Sequence, residues 1–362
     1  MNLSPQQDTA IKAVSAWLKD PGGKQTFYLA GYAGTGKTTL ARRLAQDIKR
    51  VCFGAFTGKA ALVLRSKGCD DASTLHSMIY KIENPNSPIP RFVRNPDSAV
   101  SDADLVIVDE VSMVGEELGR DLLSFGTRVL VLGDPAQLPP VKGEGYFTAG
   151  DPDFMLTEVH RQAADNPIIA MSMKVRQGER LDFGSFGDSR IISRDQLDTA
   201  RVLDADQIIV GKNDTRRRYN ERIRTLKGLS GDFKVNDRVV CLKNNSEMGL
   251  LNGGIWNVDN VIRQSRDVTT MDVSPLDSGM TKMPVEVKTH HAWTRGQERN
   301  LDWKMARQFQ PFDYAYALTC HKSQGSQWDN VMIFDEGGIF PEPDRWLYTA
   351  ITRAAEKVTV VQ

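Results

Sequence analysis

Short continuous apolar runs ending in polar or glycine-rich turns alternate along this chain with stretches whose apolar positions recur at helical spacing. Phe27 to Ala30, Leu105 to Val108 and the run "VLVLG" are uninterrupted, as expected of strands covered on both faces of a parallel sheet. Leu40, Leu44 and Ile48 follow the first of them on one helical face. Strands alternating with helical stretches predict βαβ units. The rhythm returns later: "QIIV" leads into an arginine-rich helix with an apolar stripe through Tyr219, Ile223 and Leu226, whose run from Arg216 to Arg218 could meet phosphates but more commonly is a solvated basic face. After Pro311, strands are predicted over 313–318, 331–334 and 357–361, with a helix over 343–354. From Phe233 to about Gln308 the pattern changes to short β-branched runs split by "NGG", a hairpin signal. Within the first half, "KIENPNSPIPRFVRNPDSAVSD" carries four prolines (85, 88, 90, 96) and reads as a surface excursion.

Composition narrows the class. The chain has 362 residues, 40% hydrophobic and 25% charged, which suits a globular protein of two domains. No apolar run approaches the ~20 residues of a membrane span, and the N-terminus lacks a basic-then-apolar leader. A cytoplasmic protein is expected. Four well-separated cysteines (52, 69, 241, 320) with no CxxC pair fit reduced thiols. Zero formal net charge argues against polyanion binding by bulk charge and leaves a local basic groove open.

The chemistry begins after the first strand. "GYAGTGKT" fits GxxxxGK[ST] between a strand and a helix. There the backbone at Gly31, Gly34, Thr35 and Gly36 would cradle phosphates, with Thr39 one step into the helix. Lys37 would reach the β/γ-phosphates and the Thr38 hydroxyl would ligate Mg²⁺. Asp109 and Glu110 stand at the carboxyl edge of the Leu105 to Val108 strand, where ligands gather in open α/β sheets. Asp109 is expected to hold Mg²⁺ and Glu110 to orient or deprotonate the attacking water. The third strand ends in Gly133-Asp134 and carries Gln137, which on its own reads as an ordinary loop glutamine. Near the C-terminus "YALTCHKSQGSQW" crowds hydroxyl, imidazole, ammonium and amide donors after an apolar run.

Taken in order, these segments resemble the motifs of a superfamily 1 DNA helicase of the RecD-like or Dda-like group. "LSPQQDTAI" resembles the adenine-reading motif, with Gln7 as its glutamine, and "GYAGTGKTT" and "VDEVSM" the nucleotide motifs. "AFTGKAALVL" and "STLHSMI" resemble strand-contacting motifs, and "LGDPAQLPPV" the sensor loop, which gives Gln137 a γ-phosphate role. "LTEVHRQ", "LTCHKSQGSQW" and "LYTAITRAAEKV" resemble the last three motifs, with Arg161 and Arg353 as arginines that act on the γ-phosphate. The family glutamate before Trp328 is replaced here by Gln327.

The resemblance implies an α/β fold: two RecA-like P-loop domains, parallel sheets flanked by helices, with a small SH3-like β-barrel inserted in the second. The expected layout is 1–147 for the first domain, 148–232 and 309–362 for the second, and 233–308 for the barrel. It implies ATP and Mg²⁺ as cofactors. Single-stranded DNA would be held by Thr57, Gly58, Lys59, Thr74 and His76 in one domain and Thr319, His321, Lys322 and Ser323 in the other. Residues 81–100 occupy the slot of a duplex-splitting pin, with Ile89 and Phe92 as wedge candidates, or else a loop packed on its own domain. Trp256 reads as barrel core; Trp293 and Trp303 are open to stacking on bases. The implied partners are DNA junctions and single-strand-binding, replication or recombination proteins, with no membrane. The implied function is 5′-to-3′ ATP-driven unwinding. The short pin region keeps a second reading alive, a DNA-stimulated ATPase that clamps nucleoprotein without separating strands.

Overall fold

Runs of four or five buried residues bounded by glycine or aspartate set the strands of the first unit. The computed structural model describes residues 3–84, 91–141, 143–158, 166–277 and 283–362, which divide into two compact units, 1–176 and 177–362. In the first, β1 (Thr26–Gly31), β2 (Val51–Ala55), β3 (Ser73–Thr74), β6 (Leu105–Asp109), β7 (Val129–Gly133) and β8 (Phe154–Leu156) form one sheet in the order β3-β2-β6-β7-β1-β8. All its pairings are parallel. Two apolar layers cover it. One includes Val14, Trp17, Leu40 and Leu44 of α1 (Pro5–Lys19) and α2 (Lys37–Ala45); the other includes Leu75, Val111, Leu118 and Leu122. The expected boundary at 147 falls short. β8 hydrogen-bonds along β1, so the unit runs on through the helix Pro167–Arg176.

Helices α3 (Gly58–Ser66), α4 (Leu75–Ile79), α5 (Ala99–Asp102) and α6 (Glu116–Leu123) connect these strands. The proline-rich excursion contributes β4 (Tyr80–Glu83) and β5 (Arg91–Arg94), a two-stranded antiparallel sheet of their own, followed by α5.

The second unit has a sheet in the order β17-β11-β18-β19-β10-β9, from β9 (Gly184–Phe186), β10 (Ser189–Ile192), β11 (Gln207–Val210), β17 (Ala317–Thr319), β18 (Trp328–Phe334) and β19 (Ala354–Val361). It is parallel except for the edge strand β9. Between β11 and β17 the chain builds a separate antiparallel sheet, β15-β14-β13-β12-β16, from β12 (Arg238–Cys241), β13 (Ile255–Gln264), β14 (Val268–Pro275), β15 (Val285–His290) and β16 (Phe312–Tyr314). Its two outer strands approach where the Gln310 N–H donates to the Lys288 carbonyl at 2.8 Å. Trp256 is 2% exposed within its core beside Phe233, Met271 and Phe312, whereas Trp293 and Trp303 stay half-buried.

Two expectations are corrected here. The strand foreseen over 313–318 is two strands in two different sheets, β16 beside β12 and β17 beside β11, because Ala315 and Tyr316 turn the chain from one layer to the other. The arginine-rich helix Asn213–Leu226 is not simply a solvated basic face. Arg216 NH1 donates to Asp313 Oδ2 at 2.6 Å, both side chains at most 4% exposed. Arg224 makes two hydrogen bonds of 2.8 Å to Asp237. These pairs fasten the helix to both ends of the antiparallel insertion. Asp313→Ala leaves a buried guanidinium without its anion, and urea unfolding should register a loss of about 3–5 kcal/mol.

Candidate nucleotide and nucleic-acid site

All strands of the first sheet run the same way, so the carboxyl ends of β1, β7 and β6 lie along one edge. Leaving β1, the chain needs two left-handed residues to turn into α2. Gly34 and Gly36, with φ of 79° and 80°, supply them at no steric cost. Gly31 is excluded from other identities by space: a Cβ there would lie 2.7 Å from Thr35 Oγ1 and 2.9 Å from Leu156 Cβ. Thr35 is buried, and its hydroxyl donates to the Tyr32 carbonyl at 2.8 Å. Lys37 Nζ donates to the Gly31 and Tyr32 carbonyls at 2.6 and 3.1 Å. The ammonium thus lies over the loop whose N–H groups would surround an anion. Thr39 is exposed on the first turn of α2.

Across β7 from this loop, the Thr38 hydroxyl donates to Asp109 Oδ2 at 2.8 Å. Asp109 Oδ1 accepts the Glu110 N–H at 2.9 Å. A hydroxyl and a carboxylate oxygen this close are the hard, compact ligands a Mg²⁺ ion takes from protein before completing its shell with phosphate and water. Glu110 sits at φ 55°, ψ 46°, a left-handed conformation that costs a non-glycine residue of order 1–3 kcal/mol. The strain turns the chain sharply after the strand, directly behind the carboxylate pair. Gln137, 6% exposed, follows β7 on the same edge, and its Oε1 has no hydrogen-bond partner among the described residues.

Gln7 is placed beside this loop in an unexpected way. Ser4 and Gln7 form a reciprocal capping box at the start of α1, and Gln7 Nε2 donates to the Thr35 carbonyl at 3.0 Å. The glutamine therefore ties the first helix to the phosphate loop. The pattern S-x-x-Q signals the cap in the sequence, but nothing local signals the bond to Thr35. No sequence signal pointed to Arg176, whose guanidinium lies 3.5 Å above the Tyr32 ring of the loop.

The expected strand-contacting threonines are all helix caps. Thr57, Thr74 and Thr319 accept from the N–H groups of Ala60, Ser77 and Lys322, as N-cap residues do. Gly58 and Lys59 form the buried first turn of α3. His76 is exposed between the Phe56 and Tyr80 rings. In the second unit His321 is half-buried, burial holds its pKa below the ordinary value, and Lys322 is exposed beside it. A neutral imidazole at physiological pH offers one N–H rather than a charge. Ser323 is fully buried and donates to the Cys320 carbonyl at 2.7 Å, so it presents no hydroxyl at the surface. Gln327 is exposed, with Nε2 at 3.5 Å from the Ala354 carbonyl.

Arg353 belongs to the second unit and is 5% exposed, its guanidinium donating to Thr349 O, Ser326 O and Thr352 Oγ1. Among the described residues these bonds use three of its five N–H groups, which leaves two for another acceptor. Arg161 and Ile89 lie outside the described residues. Phe92, 61% exposed, stands on β5.

Loop, lysine and threonine–carboxylate pair on one parallel-sheet edge define a P-loop nucleotide-binding protein. Residues 2–193 match the family model described as AAA domain, and residues 314–361 match UvrD-like helicase C-terminal domain. Among curated proteins, the chain is 30% identical over 357 residues to ATP-dependent RecD2 DNA helicase of Deinococcus radiodurans, covering 94% of this chain and 47% of that one. It is 24% identical over 382 residues to ATP-dependent DNA helicase Pif1 of Bdellovibrio bacteriovorus, covering 91% and 81%. The chain thus spans about half the length of the RecD2 relative. The fold is that of solved Pif1 helicases: TM-score 0.61 at 20% identity for the Candida albicans protein, with 100% of this chain and 94% of that one covered. The Bacteroides protein in complex with ADP-AlF3 and ssDNA gives 0.59 at 19%, with 99% and 92% covered. The chain belongs to the AAA domain family, and its similarity extends over nearly its whole length to RecD2 and Pif1 helicases.

Proposed function

We propose that this chain is an ATP-dependent helicase or translocase that moves on single-stranded DNA in the 5′-to-3′ direction. The observation that carries the reading is the Thr38–Asp109 hydrogen bond beside the Gly31–Lys37 loop, in a chain of this family. Gly31, Gly34, Thr35 and Gly36 bind the phosphates through backbone N–H groups, and Lys37 exchanges its loop carbonyls for phosphate oxygens. Gln7 holds the loop through Thr35, leaving adenine contact to whatever its amide can reach besides. Thr38 and Asp109 would hold Mg²⁺, which when bound neutralises phosphate charge. Glu110 orients the attacking water, and Gln137 offers its buried amide to the γ-phosphate. Arg353 would approach the γ-phosphate when the second unit closes on the first, so hydrolysis depends on closure; Arg161, whose position falls within the span of the first unit, is the other arginine expected at the γ-phosphate.

The threonine-capped helices Gly58–Ser66, Leu75–Ile79 and Cys320–Ser323, with His76, His321 and Lys322, form the DNA-holding rows. Contacts of this kind grip phosphate and sugar and carry no sequence information. The antiparallel sheet inserted in the second unit serves as the SH3-like barrel that confines the strand. Proteins of replication and recombination are its expected company.

Unwinding of matched 5′-tailed and 3′-tailed duplexes with ATP tests activity and direction together. Selective opening of the 5′-tailed substrate is expected. ATPase stimulated by oligonucleotide without opening of either duplex would replace the helicase with the clamp.

A further inference from the structure

Tyr32 is the residue on which the tethers of the phosphate loop converge. Its N–H donates to the Leu156 carbonyl, at the end of β8, at 3.4 Å. Its carbonyl accepts from both Lys37 Nζ and the Thr35 hydroxyl. The position of this one residue therefore sets the seats of the lysine and the threonine. Its ring has a separate partner: the Arg176 guanidinium lies 3.5 Å from the ring centre, against a face whose quadrupole attracts cations. Tyr32 and Arg176 are both half-buried, so the contact is partly shielded from water.

Arg176 closes the helix Pro167–Arg176, which is seated by its buried Ile168, Met171, Ser172 and Val175. Gly178, at φ 76°, takes the left-handed turn that stops this helix. A cation in the last turn suits the negative end of the helix dipole. The first unit also ends here, and the chain enters the second at Gln177. Residues at the end of an element, where the chain crosses between units, are those that absorb a hinge movement. This one lies against the phosphate loop.

We propose that Arg176 is a positioning residue, whose stack on Tyr32 ties movement of the second unit to the seat of Lys37. In the empty site the Tyr32 carbonyl holds the ammonium. Closure displaces Arg176 and the ring that follows it, and the carbonyl then yields Lys37 to the phosphate oxygens. This inference rests on the helicase reading.

The test is ATPase of the full chain, read as the ratio of turnover with saturating single-stranded DNA to turnover without it. Arg176→Ala should lower that ratio about tenfold, as expected for a partly desolvated cation–π contact. Arg176→Lys keeps the cation without the planar face and should fall between that variant and the parent. Tyr32→Phe keeps the ring face and should keep the parent's ratio, whereas Tyr32→Leu should match Arg176→Ala. In Tyr32→Leu with Arg176→Ala the ratio should be no lower than in either single variant, as for two residues acting through one contact. Should Tyr32→Leu fail to fold in a melting curve, Arg176→Ala beside Arg176→Lys and Tyr32→Phe carries the test. An unchanged ratio in Arg176→Ala overturns the proposal, and so do losses that multiply in the double variant. Equal falls with and without DNA overturn it too, leaving the stack as a support of the loop alone. Parental turnover indifferent to DNA overturns the helicase reading itself, and this inference with it.

Discussion

Lys37→Ala is expected to abolish ATP hydrolysis and strand separation together, with turnover falling by roughly 10²–10³ or more, the usual cost of removing a positioned donor from a developing negative charge. The reason is local. Nζ is the cation that spans the phosphate loop, within 3.1 Å of both the Gly31 and Tyr32 carbonyls. Its removal spares the fold, since the loop is also held by Gln7 to Thr35 and by Thr35 to Tyr32. A steady-state ATPase assay with saturating oligonucleotide, beside a melting curve of the same variant, makes the check. An active Lys37→Ala protein with an intact fold would place the phosphates elsewhere.

Arg353→Ala is expected to bind ATP as the parent does and to lose its DNA-stimulated turnover by roughly 10³–10⁵, the range an arginine supplied to a phosphoryl group commands. The residue is also part of its own unit, donating to Thr349, Ser326 and Thr352, so the alanine variant alone confounds packing with chemistry. Arg353→Lys separates them: it keeps a cation but loses the planar fork, and is expected to stay folded and remain slow. Nucleotide binding followed by fluorescence, with single-turnover hydrolysis in the presence of DNA, reads both effects. Parental turnover in Arg353→Ala would remove any role for this side chain at the phosphate.

The phosphate loop and the Asp109 strand were legible because their signals are local: glycines at fixed spacing, continuous apolar runs, a carboxylate at a strand end. What escaped depends on pairs far apart in sequence. Nothing within "DTRRRYNERIRTL" tells that Arg216 is buried, since its anion, Asp313, arrives 97 residues later. The first unit runs past 147 because β8, three residues long, takes its meaning from lying against β1. The continuous run 313–318 looked like one strand since periodicity is blind to a change of sheet. The motif groups Ser323 with its surface neighbours, yet the short helix turns it inward. The motif points Gln7 at a ligand, while its capping-box spacing with Ser4 is equally plain.

The two buried guanidinium–carboxylate pairs make the antiparallel insertion a poor candidate for modular exchange. Excising 233–308 would take Asp237 from Arg224 and strip β16, left behind on the C-terminal side, of the β12 neighbour it pairs with. A chimera that transplants this region between relatives must therefore carry the arginine-rich helix along with it, or the graft will disturb the host sheet as much as the part removed.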